Sequence, residues 1–321
     1  MVRDEGKLVT IFGGSGFIGT QVTQELARRG YRIRVAVRRP DLAGHVRMFG
    51  FPGQIQPVQA NLRFPDSVRA AVRGAAIVIN LVGVLADSGR QRFSAVHVAG
   101  ARTVAEAAAA AGAERLIHIS ALGADPQSPS AYARSKARGE ADVLAAYPQA
   151  VILRPSLVFG QDDRFLNRFA SIARLSPVLP VIGGETRFQP VYVGDVAEAI
   201  ARAADGAGKG GRIYELGGPE IMTMREILER VNAETQRNRV LLPVPVGLAR
   251  FGAGIAQILP GAPVTADQMT QLTLDNVVSP EAAAEKRTLA AFDVQPTAMD
   301  AVISTYLWRF RRHGEFDRRV A

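Results

Sequence analysis

Along the first 155 residues, apolar and polar positions alternate between two periods. Short, mostly apolar runs rich in β-branched residues fall at Leu8–Phe12, Ile33–Val37, Ile55–Gln59, Ile77–Val82, Leu116–Ile119 and Val151–Leu153. They do not alternate polar with apolar, as expected of strands covered on both faces. Between them lie helix-period segments, among them Phe17–Arg29, Phe93–Ala111 and Ala131–Ala146. Strands that alternate with helices pair in parallel through right-handed crossovers, so the pattern predicts a doubly wound α/β sheet. After Arg154 the rhythm loosens. Pro177, Pro180, Pro190 and the Gly206–Gly211 cluster punctuate shorter elements. A further βα unit is expected through Val191–Ala204, then a strand at Ile213–Leu216 and a helix at Thr223–Thr235. The predicted division is residues 1–160, with a βα unit near 189–216, and a smaller, mostly helical C-terminal portion made of 161–188 and 217–321.

Composition narrows the chemistry. Of 321 residues, 47% are apolar and 21% charged, enough to bury a core. There is no cysteine, which excludes disulfides, thiolate nucleophiles and Cys-ligated metal. The four histidines (His45, His97, His118 and His313) form no HExxH-type pair, so no metal site is expected. The net charge is +9, with 39 Lys plus Arg against 30 Asp plus Glu, and all but four of the cations are arginine. They are spread along helix surfaces instead of being interleaved with aromatics on one face, so no nucleic-acid partner is expected. The chain opens MVRDEGKLVTIFGG, with no signal-peptide pattern. The apolar stretch Val240–Leu259 is broken by Pro243, Pro245, Gly247, Arg250, Gly252 and Gly254, and does not suit a transmembrane helix.

Three motifs carry candidate chemistry. Gly13-Gly14-Ser15-Gly16-Phe17-Ile18-Gly19 follows the first strand and opens the first helix. Glycines there permit a tight turn and bring backbone N–H groups to a pyrophosphate at a helix N-terminus. This makes the sheet Rossmann-type. At the end of the second strand, where a carboxylate would bond the ribose of NAD, stands Arg38. A guanidinium suits the 2′-phosphate of NADP, so NADPH is favoured over NAD. Tyr132 and Lys136 lie four residues apart on one helix face, with Ser120 ending the fifth strand. An ammonium beside the phenol is expected to lower the tyrosine pKa, as a general acid/base requires.

These motifs resemble the extended short-chain dehydrogenase/reductase family, in its NAD(P)-dependent epimerase/dehydratase branch. That resemblance implies Ser120, Tyr132 and Lys136 as the catalytic set. It implies a cofactor site of Gly13, Ser15, Gly16, Phe17, Ile18, Gly19, Arg38, Asn61, Leu62, Leu81, Val82, Gly83, Tyr132, Lys136, Pro155 and Ser156. One departure is His97, in Val96-His97-Val98-Ala99-Gly100-Ala101, where the family has a structural and proton-relay Asn.

A narrower resemblance rests on RPSLVFG (Arg154–Gly160), DRFLNRFA (Asp163–Ala170), QPVYV (Gln189–Val193) and SPSAYARSKARGE around Tyr132. These phrases are similar to the nucleotide-binding accessory subunits of respiratory complex I (NADH:ubiquinone oxidoreductase). That implies a tightly held NADPH in a mainly structural role, and complex I subunits as partners. The implied location is peripheral, on the cytoplasmic side of a bacterial inner membrane or on the matrix side in mitochondria. The tail Tyr306-Leu307-Trp308-Arg309-Phe310-Arg311-Arg312-His313, ending in Asp317-Arg318-Arg319, suits anionic lipid headgroups. Retention of Tyr132 and Lys136 leaves open a free-standing NADP-dependent reductase, epimerase or dehydratase.

Overall fold

A computed structural model describes residues 6–249, 251 and 265–316. The stretch 252–259 and Asp317-Arg318-Arg319, which entered the sequence reading, lie outside the described residues. The chain forms two compact units. One comprises residues 1–155, 194–216 and 279–295, and the other 156–193, 217–278 and 296–321.

The first unit is built on a parallel sheet of seven strands. Six are β1 (Leu8–Phe12), β2 (Arg32–Val37), β3 (Ile55–Gln59), β4 (Ile77–Asn80), β5 (Arg115–Ile119) and β6 (Val151–Pro155). The seventh is Arg212–Leu216, and its order is Arg212–Leu216, β6, β5, β4, β1, β2, β3. Val9, Ile11, Val35, Val78, Ile79, Ile117 and Ile152 are fully buried, so both faces of the sheet are covered. The covering helices are α1 (Phe17–Arg28), α2 (Pro65–Val72), α3 (Ala101–Ala110) and α4 (Ala131–Ala146). Strand order reverses between β1 and β4, the switch point where doubly wound sheets bind ligands at their carboxyl edge.

Two features depart from the periodic reading. Phe93–Ala111 is not one helix: Ser94–Gly100 forms a π-helical turn before α3 begins. Its backbone is pressed against α4, where a carbon added at Gly139 would lie 2.1 Å from the His97 carbonyl oxygen. Residues 279–295 also return to the first unit instead of joining the C-terminal portion. Arg287 accepts the Glu215 N–H at 2.9 Å and donates to the Ile213 carbonyl at 2.8 Å. Phe292 packs edge-on against Tyr214.

The second unit contains α5 (Leu166–Leu175) and α7 (Met224–Glu234), while α6 (Val193–Ala204) belongs from Gly194 onward to the first. With Met299–Leu307, these second-unit helices enclose a core that includes Phe159, Leu166, Ile227, Leu228, Ile303 and Leu307. Three two-stranded ribbons accompany them: Val158–Phe159 with Val191–Tyr192, Val178–Val181 with Val240–Pro243, and Arg187–Phe188 with Met222–Thr223. Strands of two to four residues are too short for any periodic signal. No helix among the described residues is long and apolar enough to cross a membrane.

Candidate functional site

The glycine turn is fixed by close backbone approach. Gly13 adopts φ +81°, and its N–H donates to the Ala36 carbonyl at 3.1 Å. A carbon added at Gly19 would lie 2.1 Å from the Gly13 carbonyl oxygen, so α1 packs directly on the turn and only glycine fits. Thr23, not singled out from sequence, braces the turn by donating to the Gly14 carbonyl at 3.0 Å. The N-cap of α1 is Gly16, with no side-chain cap and no acidic residue in the first turn. The first N–H groups of α1, over Phe17, Ile18 and Gly19, therefore meet no competing carboxylate. That is the arrangement an anion requires.

Leu81–Gly83 follow β4 beside this turn. The Leu81 N–H donates to the Phe12 carbonyl at 3.0 Å, and the Val82 N–H donates to Asn80 Oδ1 at 3.2 Å. A carbon built on Gly13 would touch the Val82 side chain at 3.3 Å. Arg38 is exposed at the end of β2 and has no partner among the described residues, whereas its neighbour Arg39 is paired with Asp41 at 2.7 Å. Ser15 is half-buried in the turn. After β3, Asn61 holds its own loop by accepting the Arg63 N–H at 3.2 Å. Leu62 is buried against Gly100 as a core residue.

At the other end of the edge, Ser120 is buried and its Oγ has no partner within the protein. An orphaned hydroxyl in a closed interior is costly unless a ligand satisfies it. The Lys136 ammonium donates to the Ile119 carbonyl at 2.9 Å. Burial lowers its pKa to about 8, and Glu140 opposes the shift. Burial pushes the Tyr132 phenol up to about 12, the reverse of the lowering expected from sequence. Burial disfavours the phenolate, so Tyr132 is protonated at neutral pH and suited to donating a proton.

His97 occupies the relay position in a closed arrangement. Its Nε2 accepts the Val84 N–H at 3.0 Å, and its Nδ1 lies 2.9 Å from Ser135 Oγ. Ser135 donates to the Tyr132 carbonyl at 2.7 Å, so it accepts from Nδ1–H and fixes the tautomer. The ring stacks on Phe93 and meets Tyr132 edge-on, both at 5.4 Å between centroids. His118, on β5, lies 3.2 Å from Asn80 Nδ2. Burial first, then the Lys136 charge, depresses both imidazoles to about 3.

Both rings stay neutral in the folded state while the unfolded chain takes up protons below about pH 6.5. Stability of the dinucleotide-free protein should therefore fall as pH drops from 6.5 towards 3, on the order of several kcal/mol. Thermal melts between pH 8 and 4 check this, with a shallower acid slope expected for the His97→Asn, His118→Asn double variant.

Pro155 ends β6 in the first unit, and its carbonyl accepts the Leu122 N–H at 3.0 Å. Ser156 opens the second unit, with its hydroxyl 2.7 Å from Asn276 Oδ1. The longer phrases also find a structural role there. Asp163 accepts the Leu166 N–H at 2.6 Å at the start of α5, and the Tyr306 hydroxyl at 2.8 Å. Gln189 donates to the Gly218 carbonyl at 2.8 Å and accepts the Val278 N–H at 3.0 Å. Of the tail arginines, Arg309 donates to Asn167 Oδ1 at 2.6 Å, and Arg311 pairs with Glu234. Both are engaged within the unit.

The seven-stranded parallel sheet, the uncapped glycine turn at its switch point and the Ser-Tyr-Lys constellation define a dinucleotide-binding α/β protein. The model of the NAD dependent epimerase/dehydratase family matches residues 9–217, and the chain belongs to that family. Across 96% of its length it is also 34% identical to NADH dehydrogenase [ubiquinone] 1 alpha subcomplex subunit 9 of Arabidopsis thaliana, covering 79% of that protein. It is 37% identical over 200 residues to the ceramide reductase of Caulobacter vibrioides, 62% of each chain. Among solved structures it resembles DesIV, a dTDP-glucose 4,6-dehydratase from Streptomyces venezuelae with NAD bound. The TM-score there is 0.70 at 19% identity, over 95% of this chain and 97% of that one, a likeness of fold. The residues present fit such a cofactor: a helix N-terminus free of side-chain cap and acid, glycines with no room for a side chain, and an orphaned Ser120 hydroxyl.

Proposed function

We propose that this chain is an NADP(H)-binding accessory subunit of respiratory complex I. The dinucleotide acts mainly as a structural element, supporting assembly or stability where the peripheral and membrane arms meet. The observation that carries this reading is the 34% identity, over 96% of the chain, to a subunit of NADH dehydrogenase. In this reading, the α1 N-terminus over Ser15–Gly19 holds the pyrophosphate, and Arg38 holds the 2′-phosphate. Asn61 and Leu62 lie on the adenine side, Leu81–Gly83 lie behind the cofactor, and Pro155 and Ser156 close over the nicotinamide. A nicotinamide dinucleotide, when bound, supplies hydride-transfer capacity. Here two of the chain's own groups support retention over turnover: Lys136 is committed to Ile119 and His97 to Val84. Binding to the folded state alone stabilises it, by about 4 kcal/mol at a thousandfold excess over Kd.

The location in this reading is peripheral, on the cytoplasmic side of a bacterial inner membrane. Contact with anionic headgroups falls to the C-terminal part, where Val240, Leu242, Leu248 and Phe251 are exposed. No carboxylate occurs between Thr235 and Ala266.

Arg38 tests the cofactor. Arg38→Asp should weaken NADP(H) binding by about 10- to 100-fold, since a charge-assisted hydrogen bond contributes about 1.5–3 kcal/mol. Calorimetric titration with NADPH and NADH checks this. Unchanged NADPH affinity would remove the role given to Arg38.

A second reading, a free-standing reductase, is favoured by the identity to the ceramide reductase and by the Ser120, Tyr132 and Lys136 set. Tyr132→Phe separates the two. As a structural subunit, the variant should assemble and leave NADH:ubiquinone turnover of the complex within about twofold, with no role for general acid catalysis. As a reductase, it should leave the protein folded while product formation falls by about 100-fold or more.

A further inference from the structure

We infer that the turn Phe51-Pro52-Gly53-Gln54, together with the helical segment before it, is a docking knob for a protein partner. The partner presents an apolar pocket rimmed by carboxylates. This rests on the complex I reading, and it assigns a surface that the dinucleotide-binding residues do not use.

Phe51 is 81% exposed, matched among the described large apolar residues only by Leu175 on α5. Met48, at 79%, and Leu42, at 67%, lie in the segment Pro40–Phe49 that precedes it. Leaving such side chains in water forgoes their burial, so three of them within ten residues mark a surface made to be covered. The exposure is not that of a loose loop. The Gln54 N–H donates to the Phe51 carbonyl at 3.0 Å, with Pro52 and Gly53 in the central positions and Gly53 at φ +85°. Gln54 then pins the turn from beneath. Its Oε1 accepts the Phe51 N–H at 2.9 Å, and its Nε2 donates to the Ala27 carbonyl at 2.8 Å and the Tyr31 carbonyl at 3.0 Å. The preceding segment is anchored by Ala43 and Val46, both fully buried. An aromatic side chain held outward on a rigid support costs little entropy to dock, as an interface anchor requires.

The chemistry of the occupant follows from the charge. From Leu42 to Pro65 there is no carboxylate, while His45 and Arg47 are exposed among the apolar residues. Beside the knob lies a cleft of about 510 Å³ lined by Arg47, Phe51, Pro52, Gly53, Ile55 and Gln56. A projection next to a recess suits interlocking with a shaped protein surface. A bilayer would call for a continuous amphipathic helix face. Phe, Met and Arg are also the residue types that concentrate at such interfaces. The segment starts two residues after Arg38, the residue at the strand end assigned to the 2′-phosphate.

The test uses the full chain in its native membranes, with two readouts. Phe51→Asp should keep its dinucleotide and melting temperature while its incorporation into complex I, read on native gels, falls by about tenfold or more. Phe51→Leu should restore most of that incorporation. A benzoylphenylalanine placed at position 51 and irradiated should crosslink to a subunit of the same complex. If the wild type is incorporated and Phe51→Asp is incorporated equally, or if the photoprobe labels lipid alone, the docking knob is overturned and the complex I reading stands. If the wild type itself is absent from the complex, the complex I reading fails, and the knob's proposed partner fails with it.

Discussion

Replacing Glu140 with alanine should destabilise the first unit by about 3 kcal/mol, in the range expected for removing one partner of a buried ion pair. Glu140 is nearly buried and accepts from Arg154 Nε at 2.8 Å and Nη2 at 2.6 Å. Arg154 also lies 3.6 Å from Glu215, whose carboxylate accepts the Ser279 N–H at 2.7 Å. One carboxylate on α4 thus ties the candidate catalytic helix to β6, the sheet edge and the returning segment. Without it, Arg154 keeps only the longer contact, and Lys136 loses the charge that opposes its desolvation. The Lys136 pKa should then drop below about 8. Urea unfolding measures the loss, and the Glu140→Leu, Arg154→Leu double variant should recover most of it, since an apolar pair leaves no orphaned charge. A Glu140→Ala variant within 0.5 kcal/mol of wild type would contradict this assignment, because an effect that small is typical of surface sites.

Gly19→Ala should cost about 1–3 kcal/mol in folding and abolish retention of the dinucleotide. The added carbon would meet backbone, 2.1 Å from the Gly13 oxygen and 2.7 Å from the Gly14 Cα, and no rotamer change relieves it. The start of α1 must move away from the turn, carrying the N–H groups proposed to hold the pyrophosphate. Gly16→Ala is the control for folding, because its added carbon meets only the Gly13 oxygen, at 3.4 Å. A melting temperature depressed in the first variant and not the second is the expected result. Equal, small shifts in both would show that α1 does not rest on the turn.

The sheet was legible because strands covered on both faces are mostly apolar: β1 (LVTIF), β4 (IVIN) and β6 (VILRP) are, whereas the edge strand β3 (IQPVQ) carries exposed polar positions. The glycine turn was legible for a related reason, since backbone contact admits one residue type. What lay beyond the sequence was the pairing of distant polar groups. Nothing near Glu140 announces Arg154, and nothing near Asn80 announces His118. Spacing placed Tyr132 and Lys136 on one helix face, but the direction of the phenol's pKa depends on burial, which spacing does not contain. His97 was noticed as a departure, while its role as a neutral acceptor for Val84 required the π-helical turn that points it there. The phrases DRFLNRFA and QPVYV carried the narrower resemblance. Their Asp163 and Gln189 hold together the second unit, whose two-residue strands leave no periodic trace.

The most direct test is one native preparation from detergent-solubilised membranes, with protein partners and small molecules identified by mass. The account predicts that the chain migrates with complex I and, on denaturation, releases NADP(H) in equimolar amount. A chain found alone in the soluble fraction, or one that releases only NAD(H), would contradict it.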